Sequence, residues 1–223
     1  MKKVALIVAG GKGLRMNSDT PKQFLLLKET PVLMHTLEKF SHLDEVILVL
    51  PKYQIPFWKE LCTTHNFTIP HTITEGGKTR FHSVRNGLDR VDNNSIVAIH
   101  DGVRPLVSKN LISNLISEVK EGVGGVPVVP IKDSIRKVDK EISTHVDRTN
   151  LYNVQTPQCF LSSEIKNAYS QEYSEKFTDD ASVFESNRGK IITLLGEEKN
   201  LKITTEEDLK IITILMGPPI PIK

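Results

Sequence analysis

Short apolar runs alternate along the chain with amphipathic stretches of helical period. The runs are continuous, which predicts strands that are covered on both faces; they lie at 4–8, 46–50, 96–99, 126–131 and 191–195. Amphipathic segments predict the helices, and they lie at 32–40, 81–88, 111–119 and around Leu209, Ile212 and Met216. This order predicts the α/β class, with a Rossmann-like, mostly parallel sheet and helices on both of its faces.

Residues 132–156 interrupt this alternation. Two short segments rich in β-branched residues, 134–138 and 142–146, flank a polar stretch at 139–141. This pattern predicts a β-hairpin that projects from the main body as an arm. Ile135, Val138 and Ile142 would also fit one face of a helix, so that alternative stays open at this point.

Composition narrows the classes of protein to which the chain can belong. It has 223 residues and a net charge of +2, and 39% of the residues are hydrophobic. These values predict one folded domain over 1–223 and argue against a disordered chain or a general nucleic-acid binder. The two cysteines, Cys62 and Cys159, are too few to form a disulfide framework or a four-ligand zinc site. We expect a cytoplasmic protein with neither a membrane nor a nucleic acid as partner.

The first predicted strand leads into a glycine loop at 9–13, and ligands of open parallel sheets bind at such strand ends. Glycines let backbone N–H groups approach an anion closely. The loop is not a Walker A motif, because Gly13 follows Lys12 where that motif has Ser or Thr. It is not the dinucleotide fingerprint either, because Met16 occupies the third glycine position.

Three cations follow within a short segment, namely Lys12, Arg15 and Lys22. Cations beside a glycine loop are suited to binding phosphates. The plain alternative is a tight turn with solvated cations, and the glycines alone do not decide between the two.

The loop together with Arg15-Met16 and Pro21-Lys22-Gln23 resembles the signature of nucleotidyltransferases that act on sugar or polyol phosphates. The spacing is most similar to cytidylyltransferases of the 2-C-methyl-D-erythritol 4-phosphate type. Further blocks resemble that family in the expected order, at 76–84, 100–105, 146–148, 155–158, 178–182 and 202–203. The resemblance therefore covers nearly the whole chain.

The resemblance implies attack of a substrate phosphate on the α-phosphorus of CTP, with release of pyrophosphate. The nucleophile is largely dianionic near neutral pH and needs no base to activate it. The obstacle is repulsion between two anions, which cations and positioning overcome. Mg²⁺ or another divalent cation is therefore an expected cofactor, held mainly by the CTP phosphates and with Asp101 as a candidate ligand.

The resemblance also implies roles for individual residues. The catalytic residues are Arg15 and Lys22, which stabilise the transition state, and Arg148 and Lys202, which position the substrate. Nucleotide contacts are expected from Ala9, Gly10, Gly11, Gly13, Gly77, Arg80, Ser83, Asp101 and Gly102. Substrate contacts are expected from Arg104, Ser134, Arg148, Thr156 and Lys202.

Two of these assignments carry further implications. The arm at 132–156 is expected to form a homodimer and to carry Arg148 into the partner's site, although a solvated Arg148 on a structural arm is the alternative. Asp101 has three candidate roles, toward the ribose, the metal or the substrate, and the plain alternative is a helix or turn cap. Asp179 and Asp180 are expected only to cap the helix that follows them.

Three rival functions differ from this hypothesis. The nearest is the same chemistry on another polyol phosphate such as ribitol 5-phosphate, and the block at 146–148 favours the methylerythritol type over it. A non-catalytic nucleotide sensor is disfavoured by the joint presence of Arg15, Lys22 and Lys202. A nicotinamide oxidoreductase is disfavoured by Met16.

Overall fold

The structure is a computed structural model that describes residues 1–10 and 20–217. Its strands are β1 Lys2–Val8, β2 Leu26–Leu27, β3 Thr30–Pro31, β4 Glu45–Leu50, β5 Thr72–Glu75, β6 Ser95–Asp101, β7 Val123–Pro130, β8 Ile135–Asp139, β9 Ile142–Val146, β10 Tyr152–Val154, β11 Gln158–Leu161 and β12 Lys190–Leu195. Its helices are α1 Val32–Phe40, α2 Ile55–Thr64, α3 Arg80–Leu88, α4 Lys109–Glu118, α5 Ser162–Tyr169, α6 Asp180–Ser186 and α7 Glu206–Leu215. Among these helices, none has the length and apolar character that crossing a bilayer requires.

The main sheet has eight strands, in the order β10-β7-β11-β6-β1-β4-β5, and β12 also pairs with β7. The pairs among β5, β4, β1 and β6 are parallel, as is the pair of β7 with β12. The predicted mostly parallel sheet is therefore confirmed, and each of the five predicted strands is present. Val8 at the end of β1 is in register with Val49 and Asp101. The carboxyl ends of β1, β4 and β6 thus meet at one edge.

Helices cover both faces of this sheet, as predicted. Side chains along β1 point alternately to opposite faces. Val4, Leu6 and Val8 pack in the core with α3 and α5, while Ala5 and Ile7 pack on the other face with α1 and α4. All five are buried, which explains why the run is continuously apolar.

The apolar pattern did not predict β2, β3, β5, β10 or β11, and the last two of these run antiparallel to β7. β11 also pairs antiparallel with β6 and so lies between β6 and β7. The ring of Phe160 in β11 packs against Gly124. A Cβ at that position would lie 2.5 Å from the ring, so only a glycine leaves enough room. β11 has only four residues, which is too short for a distinctive periodicity.

The projecting hairpin is confirmed and the helix alternative is wrong. β8 and β9 pair only with each other among the described strands, with Ile135 opposite Val146 and Asp139 opposite Ile142. Lys140 makes the turn with a φ of 54°. Val138 and Ile142 are 67% and 70% exposed. The hairpin therefore extends away from the core with apolar side chains in solvent.

Candidate active site

A cavity of about 640 Å³ opens at the edge of the sheet where β1, β4 and β6 end. It brings together eight of the residues that the sequence predicted for the site. These are Ala9, Gly10, Lys22, Gly77, Arg80, Ser83, Asp101 and Lys202. The predicted residues Gly11, Gly13 and Arg15, and the lower-ranked Lys12, lie outside the described residues.

Close packing at the exit of β1 holds the start of the glycine loop against the sheet. The Ala9 N–H donates to the Val49 carbonyl at 3.0 Å, and the Gly102 N–H donates to the Val8 carbonyl at 2.9 Å. A Cβ on Gly102 would lie 2.8 Å from the Ala9 Cβ, so this close approach requires a glycine. The buried Gln23 amide donates to the Ala9 carbonyl at 3.0 Å, a contact that was not predicted.

Two predicted catalytic lysines occupy the same wall of the cavity. Lys22 begins a short 3-10 helix and its Nζ donates to the Ile203 carbonyl at 3.0 Å. Ile203 directly follows Lys202, and its N–H donates to the Val103 carbonyl at 3.0 Å. This backbone bond fixes the segment that carries Lys202 beside the segment that follows β6. The structure therefore brings Lys22 and Lys202 to one short stretch of backbone.

Asp101, the last residue of β6, is the centre of a cationic cluster. Its Oδ2 lies 2.9 Å from Lys202 Nζ and 3.4 Å from Arg104 Nε, and its Oδ1 lies 3.4 Å from Arg80 Nε. Burial disfavours a charged carboxyl, but Arg80, Lys202 and Arg104 outweigh burial and hold the pKa of Asp101 well below its usual range. The carboxylate is therefore ionised and fixed among three cations.

Arg80 is held by a second carboxylate beneath the cavity. Its two terminal nitrogens each lie 2.7 Å from an oxygen of Asp180, a residue that is fully buried. The Tyr169 hydroxyl donates to the same carboxylate at 2.6 Å. Although burial opposes a charged guanidinium, Asp180 raises the pKa of Arg80 well above its usual value.

The expectation that Asp179 and Asp180 both cap a helix is half wrong. Asp179 is the N-cap of α6, and its carboxylate accepts from the Ser182 N–H at 2.9 Å. Asp180 is the first helical residue, and its side chain turns instead to Arg80. Adjacent carboxylates at one helix start thus have different partners, because only the cap side chain reaches the free N–H groups.

Thr156 and Arg104 lie behind Asp101 and do not line the cavity. The Thr156 hydroxyl accepts from the Asp101 N–H at 3.1 Å and pairs with Nδ1 of the buried His100 at 3.0 Å. His100 Nε2 pairs with the Arg104 carbonyl at 3.1 Å, which identifies Nε2 as the protonated nitrogen. Burial lowers the pKa of His100 to about 3, so this imidazole is neutral. Both predicted substrate residues therefore act on the position of Asp101.

Another part of the cavity lining is a glycine turn closed by Ser83. The Gly77 N–H donates to the Ser83 Oγ at 3.0 Å, and that hydroxyl donates to the Thr79 carbonyl at 2.9 Å. A Cβ on Gly77 would lie 2.4 Å from the Cβ of His82, so the turn requires a glycine. The hydroxyl of Ser83 is committed to shaping this wall.

The two predicted residues of the arm are not brought to this cavity by their own chain. Ser134 and Arg148 are both exposed, on either side of the β8–β9 hairpin.

Tyr53, which was not predicted, lines the cavity and is 68% exposed. Tyr53 lies just beyond the end of β4. That position is the sequence feature from which a contact with the ligand could have been predicted, because ligands of open parallel sheets bind at strand ends.

Comparison with known proteins matches this chain to one family. The sequence model of the IspD family, described as 2-C-methyl-D-erythritol 4-phosphate cytidylyltransferase, matches residues 3–217. A curated relative of that name from Bacteroides fragilis is 48% identical over 219 residues, which cover 97% of this chain and 100% of the relative. Another from Porphyromonas gingivalis is 47% identical, covering 96% of this chain and 98% of the relative.

Solved structures agree with this match. The crystal structure of 2-C-methyl-D-erythritol 4-phosphate cytidylyltransferase from Thermus thermophilus superposes with a TM-score of 0.80 at 27% identity, covering 96% of this chain and 98% of that one. A 4-diphosphocytidyl-2C-methyl-D-erythritol synthase from Anaerococcus prevotii gives a TM-score of 0.80 at 29% identity, covering 97% and 96%. The similarity thus extends over the whole fold as well as the sequence.

Proposed function

We propose how this chain, which belongs to the 2-C-methyl-D-erythritol 4-phosphate cytidylyltransferase family, uses its cavity for that family's reaction. The chain transfers CMP from CTP to 2-C-methyl-D-erythritol 4-phosphate, giving 4-diphosphocytidyl-2-C-methyl-D-erythritol and pyrophosphate. This is a step of isoprenoid precursor synthesis by the non-mevalonate route. The alternative acceptor, ribitol 5-phosphate, is not favoured, because the family model and the relatives agree on the methylerythritol phosphate.

The convergence of Lys22, Arg80 and Lys202 on one cavity carries this proposal. Both substrates are polyanions, so their approach is opposed by Coulomb repulsion. Cations that line the cavity lower that repulsion and hold the two phosphates in line. No proton transfer is needed to make the nucleophile, since a phosphate monoester is already largely dianionic near neutral pH.

The lysines divide the work of the reaction. Lys22, with Arg15, meets the negative charge that grows on the α-phosphate in the transition state. Lys202 positions the phosphate of the acceptor. The Lys202 side chain pairs with Asp101 at 2.9 Å and is 40% exposed. Because it is not buried, it can turn from Asp101 toward the phosphate dianion of the acceptor. Asp101 keeps two arginine partners when Lys202 does so.

Backbone groups of the glycine turn form the nucleotide-base site. Cytosine offers acceptors at O2 and N3 and a donor at N4, which backbone amides and carbonyls can match. Gly10 and Gly77 expose backbone to the cavity, and the Ser83 hydroxyl fixes the second of them. A polar site of this kind rejects the wrong base, because mismatched polar groups remain unpaired.

Mg²⁺ or another divalent cation fits the donor set of the cavity. Within residues 1–10 and 20–217, no group of three or more His, Cys, Asp or Glu side chains could hold a metal. One carboxylate, Asp101, lines the cavity, and Mg²⁺ in proteins is commonly bound by one or two carboxylates plus substrate phosphates. Asp101 would help to hold the ion once Lys202 turns to the acceptor, and the bound ion would supply positive charge to the phosphates of CTP.

The arm at 132–156 serves a homodimer in this proposal. The exposed apolar residues Val138 and Ile142 support an interface there, since such side chains gain most from being covered. Arg148 and Ser134 lie beside the hairpin and contact the acceptor in the partner's cavity.

A cytoplasmic location is supported by the two free thiols, Cys62 and Cys159, which persist in a reducing compartment.

Release of pyrophosphate from CTP tests the proposed function. We expect turnover with 2-C-methyl-D-erythritol 4-phosphate, and turnover at least about 100-fold lower with ribitol 5-phosphate or with UTP in place of CTP. Equal turnover with both acceptors would contradict the assigned substrate. Equal turnover with UTP would contradict the assigned base site.

A further inference from the structure

Asp180 is a buried carboxylate for which the reaction as described has no use. It is fully buried, binds both terminal nitrogens of Arg80 at 2.7 Å, and accepts from Tyr169 at 2.6 Å. We propose that Asp180, with Tyr169, is a positioning residue that fixes Arg80 for CTP binding. This inference rests on the proposed function in one respect, namely that the cavity binds CTP.

The geometry shows what Asp180 changes in the cavity. Arg80 faces two carboxylates, but its contact with Asp101 is a single long one at 3.4 Å, whereas its contact with Asp180 is bidentate. A bidentate pair fixes both the position and the plane of a guanidinium. Without Asp180, Asp101 would be the remaining carboxylate partner of Arg80. Arg80 would then close on Asp101 and compete there with Lys202.

The contact is not required to form either helix that it joins. Arg80 is the first residue of α3, which has its own N-cap in Thr79. Asp180 is the first residue of α6, which Asp179 caps. The Arg80 side chain is 30% exposed where it lines the cavity, so the pair connects a buried anchor to a surface that a ligand can reach.

A double-mutant cycle on CTP affinity tests the proposal. The variants are Asp180→Asn, Arg80→Met and the double variant, each titrated calorimetrically with CTP in the presence of Mg²⁺. If Asp180 acts through Arg80, Asp180→Asn weakens CTP binding about 10-fold in the natural chain and less than about twofold in the Arg80→Met background. Asp179→Asn is the matched control, since it lies on the same helix start and Asn also caps; its CTP affinity should stay unchanged.

Thermal unfolding provides a readout with a predicted change of sign. Asp180→Asn should lower Tm in the natural chain, because Arg80 loses its bidentate partner and keeps only the long contact with Asp101. In the Arg80→Met background the same substitution should raise Tm, because the carboxylate that it removes is buried and has already lost its cation. Additive effects on CTP affinity would overturn the proposal.

Tyr169→Phe keeps the proposal falsifiable if Asp180→Asn does not fold. It removes one hydrogen bond and leaves the carboxylate, so we expect CTP affinity to fall about threefold. An unchanged affinity would overturn the proposal. Failure of the proposed function has a different signature, since the natural chain would then bind CTP without releasing pyrophosphate from the methylerythritol acceptor.

Discussion

The cluster around Asp101 and the hairpin arm carry residues of the same proposed reaction, but they differ in how their side chains are held in place. Asp101 is 7% exposed and is bound by Arg80, Arg104 and Lys202 of its own chain. Ser134 and Arg148 are exposed beside strands that pair only with each other in the described part of the chain. The first region is therefore positioned by the folding of one subunit, whereas in the proposed dimer the second acquires its position from a partner.

The largest expected effect comes from the cluster. Lys202→Ala removes the group that positions the acceptor phosphate, so kcat/KM for that acceptor should fall about 1000-fold. Steady-state release of pyrophosphate measures it. The change should leave the fold intact, because the Lys202 side chain is 40% exposed. A fall of less than about tenfold would show that the cluster does not position the acceptor.

Arg148→Ala tests whether the arm belongs to the same site. We expect activity to fall about 100-fold. Mixing this variant with Lys22→Ala should restore about one quarter of natural activity, because half of the random dimers are mixed and each has one complete site. Each homodimer alone is the control. A mixture no more active than its components would show that the cavity does not use the partner's arm.

The sequence predicted the two regions with different success. Continuous apolar runs identified the core strands, since only residues covered on both faces can be apolar throughout, as Val4 to Val8 are. Strand ends then located the cavity. The sequence did not reveal the Arg80–Asp180 pair, whose members lie 100 positions apart and meet only because α3 packs against α5 and α5 packs against α6. It also could not show that Thr156 and Arg104 sit behind Asp101.

A smaller effect concerns how the chain supports Asp101 from behind. His100 is neutral when folded, with a pKa of about 3, but titrates near its ordinary value when unfolded. Its depressed pKa contributes stability that is fully present above about pH 6.5 and is lost as the pH falls toward 3. The free energy of unfolding should drop by about 1.4 kcal/mol per pH unit across that interval.

Urea titrations of His100→Gln between pH 6.5 and 4.5 check this expectation. Carboxyl groups begin to titrate near the acid end of this interval, but both proteins contain the same carboxyl groups, so the difference between their pH dependences reports His100. The variant should be less stable than the natural chain at pH 7 and should lose less stability on acidification. Parallel pH dependence of the two proteins would show that His100 does not stay neutral in the folded chain.

The smallest expected effect is on the arm itself. Val138→Ser changes a side chain that is 67% exposed in one subunit, so the free energy of unfolding of the chain should change by no more than about 0.5 kcal/mol. Dimer association should nevertheless weaken, as measured by sedimentation at several concentrations. Unchanged association would place the interface elsewhere.

The kinetics of Lys22→Ala test most directly the central claim, that cations at the exit of β1 stabilise the charge that develops in the transfer. We predict that kcat falls at least about 100-fold while KM for CTP changes less than about threefold, because that charge is greatest in the transition state. Lys59→Ala, at an exposed lysine of α2, is the matched control and should keep natural rates. A Lys22→Ala enzyme with natural kcat would contradict the account.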